Sequence, residues 1–118
     1  MVLGIAGSRS IDIPIPEELM PEGIDLIITG GAKGIDKAAR DYARSHNIPV
    51  TEILPEYNLY GRSAPLKRNE LIINKADVIY VFWDGKSRGS EYVINKCNEL
   101  DKYCKAFLVK DGKYTPLK

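Results

Sequence analysis

The stretch "LIITGGAKGIDKAAR", from Leu26 to Arg40, joins an apolar segment typical of a β-strand to a helical pattern through three glycines and a lysine. Such a strand–glycine–helix junction is where α/β proteins bind phosphate, because the first N–H groups of a helix lack partners and its dipole favours negative charge. The residue sequence of this junction matches neither the Walker A loop, which needs Gly-Lys-Ser/Thr, nor the Gly-x-Gly-x-x-Gly dinucleotide fingerprint. The junction therefore predicts an α/β fold with an anion site at this turn, and it leaves the class of ligand open.

Four further apolar segments extend the same pattern along the chain. Runs rich in β-branched residues occur at Val2–Ala6, Asp25–Thr29, Val50–Leu54, Val78–Trp83 and Ala106–Val109. Helical patterns separate most of them, which predicts a parallel sheet covered by helices. We expect a single Rossmann-like, three-layer α/β domain over residues 1–118, with five parallel strands in the order 3-2-1-4-5 and a small antiparallel flap at the C-terminal Asp-Gly turn.

The helical pattern that opens at Pro65 contains an anomaly. It is predicted to run to about Lys75, with Leu66 and Ile73 on its inward face. That spacing puts Asn69 on the same inward stripe, with an arginine beside it. An unpaired buried amide would cost roughly 1–3 kcal/mol, so Asn69 either bonds to neighbouring backbone or lies at the floor of a pocket.

Composition limits the classes of partner. The chain of 118 residues has 17 basic and 16 acidic residues, so its charge of +1 gives no global field for a polyanion or an anionic membrane. No apolar run has the length of a membrane span or signal peptide, and we expect a cytoplasmic protein with no membrane partner. Two cysteines and one histidine are too few for a structural zinc site. We expect no metal and no cofactor, and a homo-oligomer is left open.

The loops that follow the strands carry the functional signal, because in a parallel sheet they gather at one edge. They read "GSRS" (7–10), "GGAKGID" (30–36), "YGRSAPLKRN" (60–69) and "DGKSRGSEY" (84–92). Seven of the 17 basic residues lie in them: Arg9, Lys33, Arg62, Lys67, Arg68, Lys86 and Arg88. A nearly neutral chain is therefore predicted to have one basic, glycine-rich edge.

We predict a ligand site at this edge, built from bare backbone, hydroxyl groups and basic side chains. The candidate ligand-binding residues are Gly7, Ser8, Arg9, Gly30, Gly31, Ala32, Lys33, Gly34, Asp36, Arg68, Asn69, Trp83, Asp84, Gly85, Ser87, Arg88, Gly89 and Ser90. Structural interpretations stay open for several of them. The glycines can serve the turns alone, Ser87 or Ser90 can be an N-cap, and Trp83 can belong to the core rather than stack on a base.

Four ordered motifs carry a family resemblance over nearly the whole chain. They are Gly7-Ser8-Arg9; Gly30 to Asp36; Tyr60-Gly61 with Ala64-Pro65 and Arg68-Asn69; and Phe82-Trp83-Asp84-Gly85 with Ser87-Arg88-Gly89-Ser90. With these motifs the chain resembles the YspA-type (cpYpsA-related) SLOG domain, of the superfamily named from the Smf/DprA and LOG ("lonely guy") proteins. The resemblance implies a Rossmann-like sheet that binds nucleotide-derived small molecules or nucleic acid at the glycine-rich edge. We favour a small molecule such as ADP-ribose or a nucleoside phosphate.

The same resemblance raises the question of catalysis. LOG enzymes are phosphoribohydrolases that cut the N-glycosidic bond of nucleoside monophosphates, with an arginine on a helix and a glutamate shortly after a Pro-Gly-Gly-x-Gly-Thr loop. Arg68 is similar in placement to that arginine, but Tyr92 and Val93 stand where the glutamate would be. An N-glycosidase that uses Arg68, Asp36 and Asp84 is therefore one alternative. Single-stranded nucleic-acid binding, by analogy with DprA, is another, which the near-zero net charge disfavours. A binding module is the favoured interpretation.

Overall fold

The computed structural model describes residues 1–117. Its elements are β1 (Val2–Gly7), β2 (Leu26–Thr29), α1 (Ile35–Ser45), β3 (Val50–Glu52), α2 (Tyr57–Tyr60), α3 (Ala64–Lys75), β4 (Val78–Trp83), α4 (Arg88–Glu99), β5 (Cys104–Lys110) and β6 (Lys113–Pro116). Short 3₁₀ turns at Glu17–Leu19 and Gly61–Ser63 precede β2 and α3. Among the described residues, no helix combines the length and the apolar character that a membrane span requires.

The strands form one mixed sheet in the order β3-β2-β1-β4-β5-β6. Strands β1 to β5 are parallel, and β6 pairs antiparallel with β5. The predicted sheet of five parallel strands is thus corrected to a mixed sheet of six. The cause is the turn at Asp111 and Gly112, both with positive φ, which lays the expected flap directly beside β5 as a sixth strand.

Helices cover both faces of the sheet, and strand residues alternate between them. Leu3 and Ile5 on β1 belong to the core under α1, whereas Ala6 belongs to the core under α3 and α4. Residue 4 is a glycine because α3 crosses closely here, and a Cβ at this position would contact Ile79 and Ile72. These central strands are therefore buried on both sides, as their unbroken apolar sequences predict.

The inward stripe of α3 agrees with the prediction at Ile73, which is fully buried, but differs from it at Leu66 and Asn69. Ala64, Arg68 and Ile72 are buried at i, i+4 and i+8, whereas Leu66 is exposed and Asn69 is only half-buried. The buried polar side chain of this helix is therefore Arg68, and not the neighbouring asparagine. A long arginine can occupy such a position because its methylene groups pack against apolar surface while its guanidinium reaches polar partners.

Candidate functional site

The loops after β1 and β4 lie side by side at the carboxyl edge of the sheet. The Ser10 hydroxyl donates to the Asp84 carboxylate over 2.6 Å, and the Asp84 amide donates to Ser8 Oγ over 3.0 Å. Ser8 Oγ and Ser90 Oγ are 3.3 Å apart. The expectation that the loops after the strands gather at one edge is confirmed for these two loops. They meet where the sheet order reverses on either side of β1, the position at which open α/β sheets bind their ligands.

A cavity of about 410 Å³ opens at this point, and we call it the main cavity. Ten of the predicted site residues line it: Gly7, Arg9, Ala32, Asp36, Arg68, Asn69, Asp84, Ser87, Gly89 and Ser90. Five further residues that were not predicted also line it: Ala6, Ser10, Pro65, Leu66 and Val93. Ser10 belongs to the same loop as Arg9, and this adjacency is the signal that could have found it.

A smaller cavity of about 260 Å³ adjoins the main one. The two share Arg9, Ala32 and Arg68 as a common wall. The smaller one adds three more of the predicted residues, Gly30, Gly31 and Lys33, together with Leu54 and Pro55 after β3. The two arginines therefore lie at the junction of the cavities, where they can contact a ligand in either.

Arg68 is the best-buried cation of the site, with only 7% of its surface exposed. Its Nη1 donates to the carbonyl oxygens of Gly30 and Ile53, and its Nε donates to Asn69 Oδ1 over 2.8 Å. Burial lowers the pKa of Arg68, and the nearby charge of Asp36 opposes that shift. Because a guanidinium keeps its proton in proteins, Arg68 presents a fixed positive charge to both cavities.

Asp36 is the buried acid beside this arginine. Its Oδ1 accepts from the Thr29 hydroxyl over 2.9 Å, and its Oδ2 accepts from the Ala32 amide over 3.1 Å. Burial raises the pKa of Asp36, whereas these hydrogen bonds and the charge of Arg68 lower it. A Cβ at Gly30 would overlap both the Arg68 guanidinium and Asp36 Oδ2. The absent side chain of Gly30 therefore makes room for this pair.

Where the turn after β2 enters α1, it is packed against the loop after β1. Gly34 has φ of 76°, and a Cβ there would come within 2.5 Å of the Ser8 carbonyl oxygen. The Ile35 amide already donates to that same oxygen over 3.3 Å. Gly34 lines neither of the two cavities at the site. Its glycine thus allows close packing of the loops after β1 and β2.

The turn into α4 is built differently. Ser87 Oγ accepts from the Ser90 amide, so Ser87 is the N-cap that the sequence left open. Burial disfavours the charged form of Asp84, but hydrogen bonds from Ser10, the Ser87 and Lys86 amides and Ser8 outweigh it and lower its pKa to about 2. Gly89, in the first turn of α4, lines the main cavity with open space where a Cβ would be. This helix start therefore faces the cavity with bare backbone.

Besides Gly34, four predicted residues line neither cavity. Ser8 is fully buried beneath the main cavity, where it bonds to the loop after β4. Trp83 packs against the core under α3 and α4, and its indole N–H donates to the Ser87 carbonyl over 2.9 Å, which is the structural role that was left open for it. Gly85 has positive φ beside Leu108, and Arg88 is exposed. Trp83 is therefore not placed to stack on a base in the main cavity.

Another cavity, of about 360 Å³, lies on the other side of α1. Its walls are largely apolar, with Ile13, Ile15 and Tyr42, and its cation Lys37 is paired with Asp41 over 3.1 Å. Gly34 is the one predicted residue that reaches it. Because Arg9 and Arg68 line the main cavity, we take the main cavity as the candidate site.

The arrangement is suited to holding an anion beside a polar group. Arg9 and Arg68 supply positive charge, the start of α4 supplies backbone N–H groups, and the carboxylates of Asp36 and Asp84 are engaged in hydrogen bonds. Within residues 1–117, no three His, Cys, Asp or Glu side chains are grouped to hold a metal ion. Comparisons of the chain with protein-family models, with curated proteins and with solved structures gave no match.

Proposed function

We propose that this chain binds a nucleotide-derived small molecule, of the nucleoside-phosphate or ADP-ribose type, in the main cavity. The observation that carries the proposal is the convergence of Arg9, Arg68 and the first turn of α4 on one cavity at the switch point of the sheet. Two arginines and a helix start favour a phosphate group, since guanidinium and backbone N–H groups both form short, charge-assisted bonds to its oxygens.

The position of the phosphate follows from the difference between the two helix starts. The first amide of α1 is engaged by Ser8, so the phosphate binds at the first turn of α4, beside Gly89 and the exposed guanidinium of Arg9. Asn69 and Ser10 also line the main cavity, where the Asn69 amide nitrogen and the lone pairs of Ser10 Oγ can bind ribose hydroxyls. Asn69 is oriented for this role because its Oδ1 accepts from Arg68.

Size supports a nucleotide rather than a bare anion. A cavity of about 410 Å³ lies within the range of roughly 300–1,000 Å³ that is typical of small-molecule sites. The adjoining cavity, which Leu54 and Pro55 also line, extends the site for a longer ligand such as ADP-ribose. The Rossmann-like classification, the SLOG resemblance and a cytoplasmic location belong to the same proposal.

Binding is tested by calorimetry and thermal unfolding with AMP, ribose 5-phosphate and ADP-ribose, and with adenosine as the phosphate-free control. A ligand present at about 100 times its dissociation constant should stabilise the protein by about 2.7 kcal/mol. Arg9→Ala should weaken binding, whereas Arg44→Ala, which removes an exposed arginine near the end of α1, should not. Equal loss in both variants, or no binding of any phosphate-bearing ligand, contradicts the proposal.

An N-glycosidase is the second candidate, because Asp36 is a buried carboxylate on the wall of the main cavity. Such an enzyme needs a carboxylate near the anomeric carbon, where positive charge develops. Both oxygens of Asp36 are engaged by Thr29 and Ala32. At the position of the LOG glutamate, burial and then Glu70 raise the pKa of Tyr92, so its phenol is neutral at pH 7. We therefore favour binding without hydrolysis.

Chromatography of free base released from AMP distinguishes the two candidates. We expect no release above a buffer control. Release that disappears in both Arg68→Ala and Asp36→Asn, while both variants still bind AMP, would favour the enzyme.

A further inference from the structure

The connection between β1 and β2 differs from the other crossovers of the parallel strands. Each of the others contains an α-helix, whereas residues 8–25 contain only the 3₁₀ turn Glu17–Leu19. Pro14 and Pro16 fix the φ angle and lack amide donors, which favours extended backbone over a helix. Ile11 and Ile15 of this segment are buried in the same core as α1. An extended segment therefore covers part of the core beside that helix.

The cavity of about 360 Å³ on this face lies between the extended segment and α1, and we call it the α1 cavity. Ile13, Pro14 and Ile15 come from the segment, and Ala38 and Tyr42 come from the helix. A second helix would interdigitate its side chains with those of α1, whereas the extended segment leaves space there. The volume lies within the range of roughly 300–1,000 Å³ that is typical of small-molecule sites.

The walls of the α1 cavity are held in place by contacts within the fold. Ile15 is buried, and the Tyr114 hydroxyl on β6 donates to the Pro14 carbonyl over 2.8 Å. On the side of α1, the rings of Tyr42 and His46 are stacked with their centroids 4.0 Å apart. A site that is already formed loses less conformational entropy when a ligand binds. The cavity is therefore able to receive a ligand without rearrangement of its walls.

One carboxylate of the α1 cavity has no ionic partner. Lys37 and Asp41 are paired over 3.1 Å, and His46 lies 3.7 Å from Glu17. Asp12 also lines the cavity, and it forms no ion pair with any of residues 1–117. A ligand in this cavity therefore meets one unpaired negative charge beside apolar walls.

We propose that the α1 cavity is a second ligand site, which binds a small organic amine with an apolar or aromatic body. The body packs against Ile13, Ala38 and Tyr42, and the ammonium group pairs with Asp12. Asp12 would repel a carboxylate or a phosphate. The class of ligand is therefore opposite in charge to the one proposed for the main cavity.

NMR spectra of the protein test this proposal with three probes of similar size: 2-phenylethylamine, 2-phenylethanol and 3-phenylpropionate. The amine should shift the amide signals of Ile13, Ala38 and Tyr42, and it should bind more tightly than the neutral alcohol. The carboxylate should bind most weakly. Absence of shifts at these three residues with the amine, or tightest binding of the carboxylate, overturns the proposal.

Two variants separate the role of charge from the role of shape. Asp12→Asn should weaken binding of 2-phenylethylamine about two- to fivefold, as expected for an ion pair exposed to water, and should leave binding of 2-phenylethanol unchanged. Asp111→Asn is the matched control, because Asp111 is also an exposed aspartate but lies outside the α1 cavity. Equal losses in these two variants contradict the pairing with Asp12.

Ala38→Leu should weaken binding of both the amine and the alcohol, because the larger side chain fills part of the cavity. Circular dichroism should show that this variant retains the fold. A folded Ala38→Leu protein that binds both probes as well as the wild type would show that they bind elsewhere, and it would overturn the proposal.

Discussion

The turns after β2 and after β4 share a sequence pattern. In each, a buried strand is followed by glycines, a basic residue and then a helix. In the structure they differ. At its junction with α1 the turn after β2 is closed by protein, since the Ser8 carbonyl accepts from Ile35 and packs against Gly34. The turn into α4 caps itself with Ser87 and leaves Gly89 on the wall of the main cavity. A glycine after a strand can therefore serve either close packing or access for a ligand, and the neighbouring loop decides which.

The largest effect is expected for Gly34→Ala, which should destabilise the fold by about 3 kcal/mol or more. The methyl group would meet the Ser8 and Arg9 backbone, and positive φ adds further strain. The measurement is the free energy of unfolding in urea. Gly112→Ala is the control, because Gly112 also has positive φ but nothing lies within 4 Å of a Cβ there. It should lose only about 1–2 kcal/mol. Equal losses would show that the packing against Ser8 contributes little.

The second prediction concerns Asp84, which ties the turn after β4 to Ser10. Its pKa is about 2 in the folded chain, against an ordinary value of 3.8. A lowered carboxyl pKa stabilises the fold above pH 4, and that stability is lost as the pH falls from about 4 to about 2. We expect a loss of about 1–2 kcal/mol, reduced from the full effect because the carboxylate is partly exposed to water.

Asp84→Asn should remove this acid dependence, as measured by urea unfolding at about pH 5 and about pH 2.5. Asp36 acts in the opposite direction, since its raised pKa favours the folded state at low pH. The difference between wild type and variant is therefore the quantity to compare. Parallel pH curves for the two proteins would contradict the role given to Asp84.

Gly89→Ala should affect ligand binding rather than stability, unlike Gly34→Ala. Gly89 has ordinary helical backbone and open space around it, so the fold should be unchanged or more stable by up to about 1 kcal/mol. The added methyl group would instead protrude into the main cavity, and the affinity for AMP should fall about tenfold. Calorimetry and urea unfolding on the same preparation report both effects. Unchanged affinity would mean that the phosphate does not approach this turn.

The smallest effect is expected for Lys33, the lysine that makes the turn after β2 look like a phosphate loop. Lys33 is exposed and lines only the smaller cavity, so Lys33→Ala should change AMP affinity by less than about threefold. Arg9→Ala should have the larger effect, about tenfold, because Arg9 lines both cavities. The reverse order of the two variants would place the phosphate at α1.

The strands and most helix limits could be predicted because they depend on local pattern. Apolar runs, Pro65 at the start of α3 and the Asp-Gly turn before β6 act within a few residues of themselves. The burial of Arg68 depends on carbonyl acceptors at Gly30 and Ile53, which lie directly after β2 and β3. The helical period alone does not indicate that Arg68 is buried. For this reason Asn69, and not Arg68, was predicted to lie on the inward face of α3.

The same limit applies to the two helix starts. Whether a helix amide is free to bind a ligand depends on its tertiary contacts. Here the Ile35 amide donates to the Ser8 carbonyl, which belongs to a different loop. The residue spacing within "GGAKGID" does not predict that contact. The gathering of ten predicted residues on one cavity could be foreseen, because the parallel sheet places all its loops at one edge.

The central position of β1 has a consequence for how the chain folds during synthesis. Strand β1 precedes all other strands, yet one of its two neighbours is β4, and the Val2 amide donates to Asp77, 75 positions later. At about 5–20 residues per second, roughly 4–15 seconds separate the synthesis of these partners. For that time one edge of β1 has no neighbouring strand, and the large loop that closes onto β4 makes this step slow. Chaperone capture of nascent chain should therefore be strongest before β4 leaves the ribosome and should fall once it has.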